Sequence, residues 1–180
     1  LLQRGAAKVY AVDVGYGQLA WKLRQDPRVV VHERTNFRLV EPGTFTGVQL
    51  VTIDVSFISL LKLLPALRGN VEPEADVVAL IKPQFEAGRE LAGKGAGVIR
   101  DPAVHRSVLA ATLAGARELG WRPAGLTYSP ILGPKGNIEF LVWWRSGAEA
   151  GDGAGDGAGD GALVDRVVRE AHARLSEVPE

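Results

Sequence analysis

Three apolar runs in this chain each end in a charged residue, and that repeat constrains the fold more than any other feature. Residues 8–12 lead to Asp13, residues 48–53 to Asp54, and residues 75–81 to Lys82. Runs this short and this rich in valine and isoleucine read as strands buried on both faces of a parallel sheet. Segments with helical spacing fall between them. The class that results is α/β, with a doubly wound, mostly parallel sheet and right-handed crossovers. Ligands of open α/β sheets bind outside the carboxyl ends of the strands, which is where these three charges stand.

A chain of 180 residues is long enough for one domain with a real core. Its 21 basic and 21 acidic residues cancel, so no net field draws it to nucleic acid or to a membrane surface. That counts against an RNA binder acting unaided. The absence of cysteine removes disulfides and thiolate metal sites and is consistent with a cytoplasmic protein. No signal peptide is visible, and no apolar run is long enough to span a bilayer. Methionine is absent even at position 1, so the natural N-terminus is expected upstream of Leu1.

In chain order, a helix is expected over residues 18–25, stopped by Asp26-Pro27, and a strand over 28–32. Residues 58–67 read as an apolar helix, with Ser56 or Ser59 as its cap and Gly69 as its end. Residues 88–97 form a glycine-rich charged loop. Asp101-Pro102 opens a long helix that Gly120 closes. Strands over 125–131 and 138–144 enclose Leu132-Gly133-Pro134-Lys135-Gly136-Asn137 as a hairpin, which makes one edge strand antiparallel. Residues 147–162 repeat glycine, aspartate and alanine and are expected to be a disordered linker. Residues 163–180 follow as an amphipathic C-terminal helix.

Asp13, Asp54 and Lys82 share one rim of such a sheet. Glu139 begins a strand that runs the other way, so its start lies on the same rim. A single charge there would mark only a strand leaving the core; four favour a site. Asp13-Val14-Gly15-Tyr16-Gly17 has two readings, a glycine loop of a nucleotide site or an acid that holds a ribose diol. Arg34 and Asn36 follow the next strand, within reach of an adenine or simply in a solvated loop. Lys94, between glycines, suits a phosphate contact or a solvated loop. His32, His105 and His172 lack ligand spacing, so no metal site is assigned. Of the adjacent Trp143 and Trp144, one is expected to pack inward and one to lie on the surface.

Five strings resemble one known family. They are Val12-Asp13-Val14-Gly15-Tyr16-Gly17-Gln18-Leu19, Asp54-Val55-Ser56-Phe57-Ile58-Ser59-Leu60, Ile81-Lys82-Pro83-Gln84-Phe85-Glu86, Arg100-Asp101-Pro102-Ala103-Val104-His105 and Gly133-Pro134-Lys135-Gly136-Asn137-Ile138-Glu139-Phe140. Their order and content resemble the TlyA family, S-adenosylmethionine-dependent ribosomal RNA 2′-O-methyltransferases that are sometimes called haemolysins. The resemblance implies a Rossmann-like, FtsJ-like catalytic domain over residues 1–146 with its first strand missing. It also implies catalytic Asp54, Lys82 and Glu139, matching three members of the family's Lys-Asp-Lys-Glu set. The first lysine and the glycine-rich methionine loop would lie upstream, as would an S4-like RNA-binding domain. Asp13, Val14, Asn36 and Asp54 are the implied S-adenosylmethionine contacts, and ribosomal RNA or a ribosomal subunit is the implied partner. An incomplete domain of this kind is expected to bind the cofactor poorly on its own.

Three rival readings belong to other classes. An NAD-dependent oxidoreductase would also place Asp13 on a ribose, but it leaves Lys82 and Glu139 without a role. A non-catalytic RNA or ribosome-assembly module would bind without turnover. A membrane-lytic protein has only the short C-terminal amphipathic helix in its favour.

Overall fold

The computed structural model describes residues 1–88, 97–146 and 158–175. Lys94 and residues 147–157 of the expected linker lie outside the described residues. The strands are β1 (Val9–Val12), β2 (Val29–His32), β3 (Leu50–Ile53), β4 (Asp76–Ile81), β5 (Trp121–Tyr128) and β6 (Phe140–Ser146). The helices are α1 (Trp21–Arg24), α2 (Leu64–Arg68), α3 (Pro83–Glu86), α4 (Pro102–Glu118) and α5 (Ala158–Leu175).

Among the described residues the strands form two sheets rather than one. β1 pairs with β2 in parallel, and the other four are ordered β3-β4-β6-β5. No ladder joins β1 to β3, so each keeps one unpaired edge. The expected hairpin is present, but the reversed strand is β6, which lies between β4 and β5. The edge falls to β5 for a physical reason. β5 contains Pro123, which cannot donate to a ladder, and its register slips between Pro123 and Gly125. Both features suit an edge. β6 instead buries Phe140, Val142 and Trp144 on one face. β5 also begins at Trp121, earlier than expected, because that fully buried indole fills the core.

The helices follow their local chemistry. Asp101 caps α4 by accepting from Ala103 N at 2.7 Å, and Pro102 takes the first turn. Gly120 ends it at φ 80°, the left-handed value that favours glycine. The expected helix over 58–67 is split. Ser59 caps a 3-10 turn at Leu60–Lys62, and α2 starts afresh with Pro65 in its first turn. Gly69 closes α2 without left-handed geometry. A Cβ there would lie 2.8 Å from Pro42, and this close approach is what favours glycine. The first helix is a single turn, α1, with no buried residue.

α5 begins at Ala158, inside the segment expected to be linker. Asp160 anchors that first turn with a two-pronged ion pair to Arg117 of α4. An acid at a helix N-terminus also suits the helix dipole. Val164, Val167, Val168, Ala171 and Leu175 then pack into the core with Leu109 and Leu113 of α4. One face of the four-stranded sheet, carrying Val77, Ala79, Ile81, Val142 and Trp144, meets these helices. Trp144 is fully buried and Trp143 partly exposed, dividing the tryptophan pair between the two faces.

Candidate active site

Asp54 stands directly after β3 and Lys82 directly after β4, and these strands are parallel neighbours. Their side chains meet: Lys82 Nζ lies 2.7 Å from Asp54 Oδ1. The lysine is largely buried and the carboxylate open to solvent, at 12% and 72% exposure. Lys82 Nζ also donates to Ser56 Oγ at 3.3 Å. Pro83 opens α3 immediately after Lys82, so the chain turns at the strand tip and leaves the amine on the rim.

Glu139 reaches the same rim by register. Ile81 of β4 pairs with Phe140 of β6 in antiparallel fashion, so the next step outward sets Lys82 opposite Glu139. Its carboxylate nevertheless makes no hydrogen bond or ion pair to Lys82 or Asp54 among the described residues. It is buried and accepts from Gln84 Nε2 at 3.4 Å. Gly133 leaves the space it occupies, since a Cβ at 133 would fall 2.3 Å from Glu139 Oε1. Asn137 pins the turn to the segment before α4. Its Oδ1 accepts from Ile99 N, and its Nδ2 donates to the carbonyls of Gly97 and Pro134.

Phe57 lies on the same side, in the loop that follows Asp54. It is 90% exposed and holds a left-handed φ of 65°, an uncommon conformation for a bulky residue. Its ring rests 4.9 Å from that of Phe85, whose face lies 6.0 Å from Lys82 Nζ. Glu86, one residue further along α3, accepts from Leu60 N at 2.8 Å and ties that loop to the helix. Burial pushes its carboxyl above the usual range.

Asp13, Val14 and Asn36 form a second group. Asp13 Oδ1 accepts from Gly15 N at 2.6 Å, and its backbone carbonyl accepts from Thr35 N. This joins the loop after β1 to the loop after β2. Glu33 strengthens the join by accepting from Gly17 N and pairing with Arg24, whose guanidinium holds the Glu33 carboxyl below its usual range. The Arg34 guanidinium lies 4.4 Å from the Tyr16 ring. Val14 is 72% exposed. Asn36 Oδ1 caps the next turn by accepting from Arg38 N. No hydrogen bond or ion pair among the described residues connects this group to Asp54 and Lys82.

The chemistry of this second group fits a nucleoside. Asp13 is an exposed carboxylate with the apolar Val14 beside it, groups of the kind that could hold a ribose diol and a base. The model of the FtsJ-like methyltransferase family matches residues 1–146. The chain belongs to the FtsJ-like methyltransferase family. YqxC of Bacillus subtilis is 52% identical across 99% of this chain and 64% of its own length. The 16S/23S rRNA (cytidine-2′-O)-methyltransferase TlyA of Mycobacterium tuberculosis is 53% identical across 81% of this chain and 54% of its own length. A solved, haemolysin-labelled structure from Streptococcus thermophilus superimposes with a TM-score of 0.86 at 45% identity, covering 98% of this chain and 62% of that one. The chain thus spans 54% to 64% of the curated relatives named here. α5 lies beyond the residues that the FtsJ-like model matches, yet inside the span shared with YqxC. Membership of this family displaces the nicotinamide reading.

Several residues of the rim were not singled out as functional from the sequence. Gln84, Phe57 and Phe85 sat in motif strings without an assigned role, and nothing local marked Gly133 as the space for Glu139. His105 and His172 are 67 positions apart, and the fold brings His105 Nδ1 within 2.9 Å of His172 Nε2.

Proposed function

We propose that this chain is part of an enzyme that transfers the methyl group of S-adenosylmethionine to a ribose 2′-hydroxyl of ribosomal RNA. The observation that carries the reading is the Lys82–Asp54 ion pair at 2.7 Å on the strand tips, with Glu139 opposite in register. The 53% identity to an rRNA cytidine-2′-O-methyltransferase supports it. In this reading Asp13 holds the cofactor ribose, Val14 and Asn36 flank its base, and Asp54 lies between cofactor and substrate.

Bound S-adenosylmethionine supplies an electrophilic methyl group. The protein's part is to align the hydroxyl, remove its proton and exclude water. Much of the rate gain comes from alignment. Lys82 takes the hydroxyl proton, which requires the amine to be neutral at that moment. Asp54 orients the Lys82 amine by accepting its hydrogen bond and stabilises the ammonium that forms when the proton arrives, the state that the 2.7 Å ion pair represents. Glu139 fixes the other side of the rim. Phe57 presents an exposed ring beside this group, suited to stacking of a substrate base. The partner is ribosomal RNA or a ribosomal subunit, engaged with the help of an S4-like domain in the complete protein. Among the described residues no helix is long and apolar enough to cross a membrane, and the proposed site of action is the cytoplasm.

The test uses the full-length gene product, ribosomal subunits that lack the modification, and S-adenosylmethionine labelled in its methyl group. Label recovered as a 2′-O-methylated nucleoside after digestion is the expected result. Label on a base, or none on RNA, would reject the reading.

A further inference from the structure

Glu139 and Gln84 form a buried pair that the proposed chemistry does not by itself explain. Their residues are 6% and 9% exposed. A carboxylate so far from solvent requires a donor. Among the described residues the only side-chain donor to Glu139 is Gln84 Nε2, at 3.4 Å. The carbonyl end of the same amide, Gln84 Oε1, is buried and has no hydrogen-bond partner among the described residues. An amide kept in the interior with one end unpaired is held there for its other end, and that end faces Glu139.

The surroundings point the same way. Gln84 lies two residues beyond Lys82, in the first turn of α3, so the backbone that carries the amine also carries the amide. Gly133 has a φ of −75°, open to any residue. The nearest atoms that an alanine Cβ there would meet all belong to the Glu139 side chain, Oε1 first at 2.3 Å. The amide and the missing Cβ together define one position for that carboxylate.

Resting on the methyl-transfer reading above, we infer that Gln84 is a positioning residue that holds the Glu139 carboxylate in place beside Lys82, in space that Gly133 keeps open. It acts through Glu139 and does not touch the reacting atoms.

The test measures methyl transfer to RNA by the full-length protein at several pH values, with Gln84→Leu, Gln84→Glu and Gly133→Ala variants beside the unsubstituted enzyme. Gln84→Leu and Gly133→Ala should each lower kcat by about tenfold or more, with KM for S-adenosylmethionine within about twofold, as for an interaction needed in the transition state rather than in binding. Gln84→Glu separates positioning from packing. Two carboxylates this close cannot both ionise, so one keeps its proton to a higher pH than usual. While protonated, Glu at 84 can donate to Glu139 as the amide does. Its activity relative to the unsubstituted enzyme should therefore be highest at low pH and fall about tenfold or more as pH rises and that proton is lost. The same ratio for Gln84→Leu should stay flat. Full activity in Gln84→Leu, or a ratio for Gln84→Glu that does not recover at low pH, overturns the inference while leaving methyl transfer intact. No transfer to RNA by the unsubstituted protein overturns the methyl-transfer reading and this inference with it.

Discussion

The β1–β2 unit and the four-stranded sheet use similar short, valine-rich strands, yet they are packed very differently. In the larger sheet, Val77, Ala79, Ile81, Phe140 and Trp144 are wholly buried beneath α2, α4 and α5. In β1 and β2 no residue is fully buried; the unit is held by a small aromatic cluster of Tyr10, His32, Phe37 and Phe45. Lys82, Asp54 and Glu139 stand on the larger sheet, whereas Asp13, Val14 and Asn36 stand on the smaller one. The proton-handling half of the proposed site is therefore set on the deeply packed sheet, and the cofactor half on the more exposed one. Precise geometry is demanded of groups that move protons, and residues locked by packing supply it.

The contrast can be broken by substitution. Trp144→Ala should cost about 3–5 kcal/mol in denaturant unfolding, the scale for a large aromatic lost from a closed core. Tyr10→Ala should cost only about 1 kcal/mol, the scale of a half-exposed aromatic contact. Equal losses would mean that the β1–β2 unit packs its aromatic cluster as tightly as the larger sheet packs its core.

A pH-dependent effect sharpens the picture on the deeply packed side. His105 is wholly buried, and its Nε2 meets the Ile99 carbonyl while its Nδ1 meets His172 of α5. Burial, and next the neighbouring His172, push the His105 pKa down to about 4. Burial and then Arg106 lower that of His172 as well. A histidine with a depressed folded pKa is bound by fewer protons in the folded state than in the unfolded one. Its contribution is complete above the unfolded value of about 6.5 and is lost as pH falls toward 4. Thermal unfolding should show the protein weakening over that window, with His105 accounting for on the order of 3 kcal/mol between pH 7 and pH 4. His105→Gln should flatten the slope between pH 4 and 6.5. An unchanged slope would remove the histidine pair as its cause.

The fold class was legible because three strand tips announce themselves in the sequence. Asp54 and Lys82 came together as expected, because neighbouring parallel strands bring their ends side by side. The place of Glu139 was legible through the reversed strand, but its partner was not. A carboxylate's contact with an amide 55 positions away leaves no local trace. The same holds for Gly133, whose role depends on a side chain that packs against it in space. The start of α5 was read too late because glycine and alanine dominate residues 158–162, while the ion pair between Asp160 and Arg117 is tertiary. The expected antiparallel edge strand is instead the internal β6, because the sequence shows a hairpin without showing which of its strands docks on β4.

In the proposed mechanism Lys82 removes the proton from a ribose hydroxyl. Its most direct test is Lys82→Ala in the full-length protein, with methyl transfer to ribosomal RNA and calorimetric binding of S-adenosylmethionine measured together. Loss of a general base should slow turnover by about 100-fold or more while cofactor affinity stays within about threefold. Turnover within a few-fold of the unsubstituted enzyme would contradict the account.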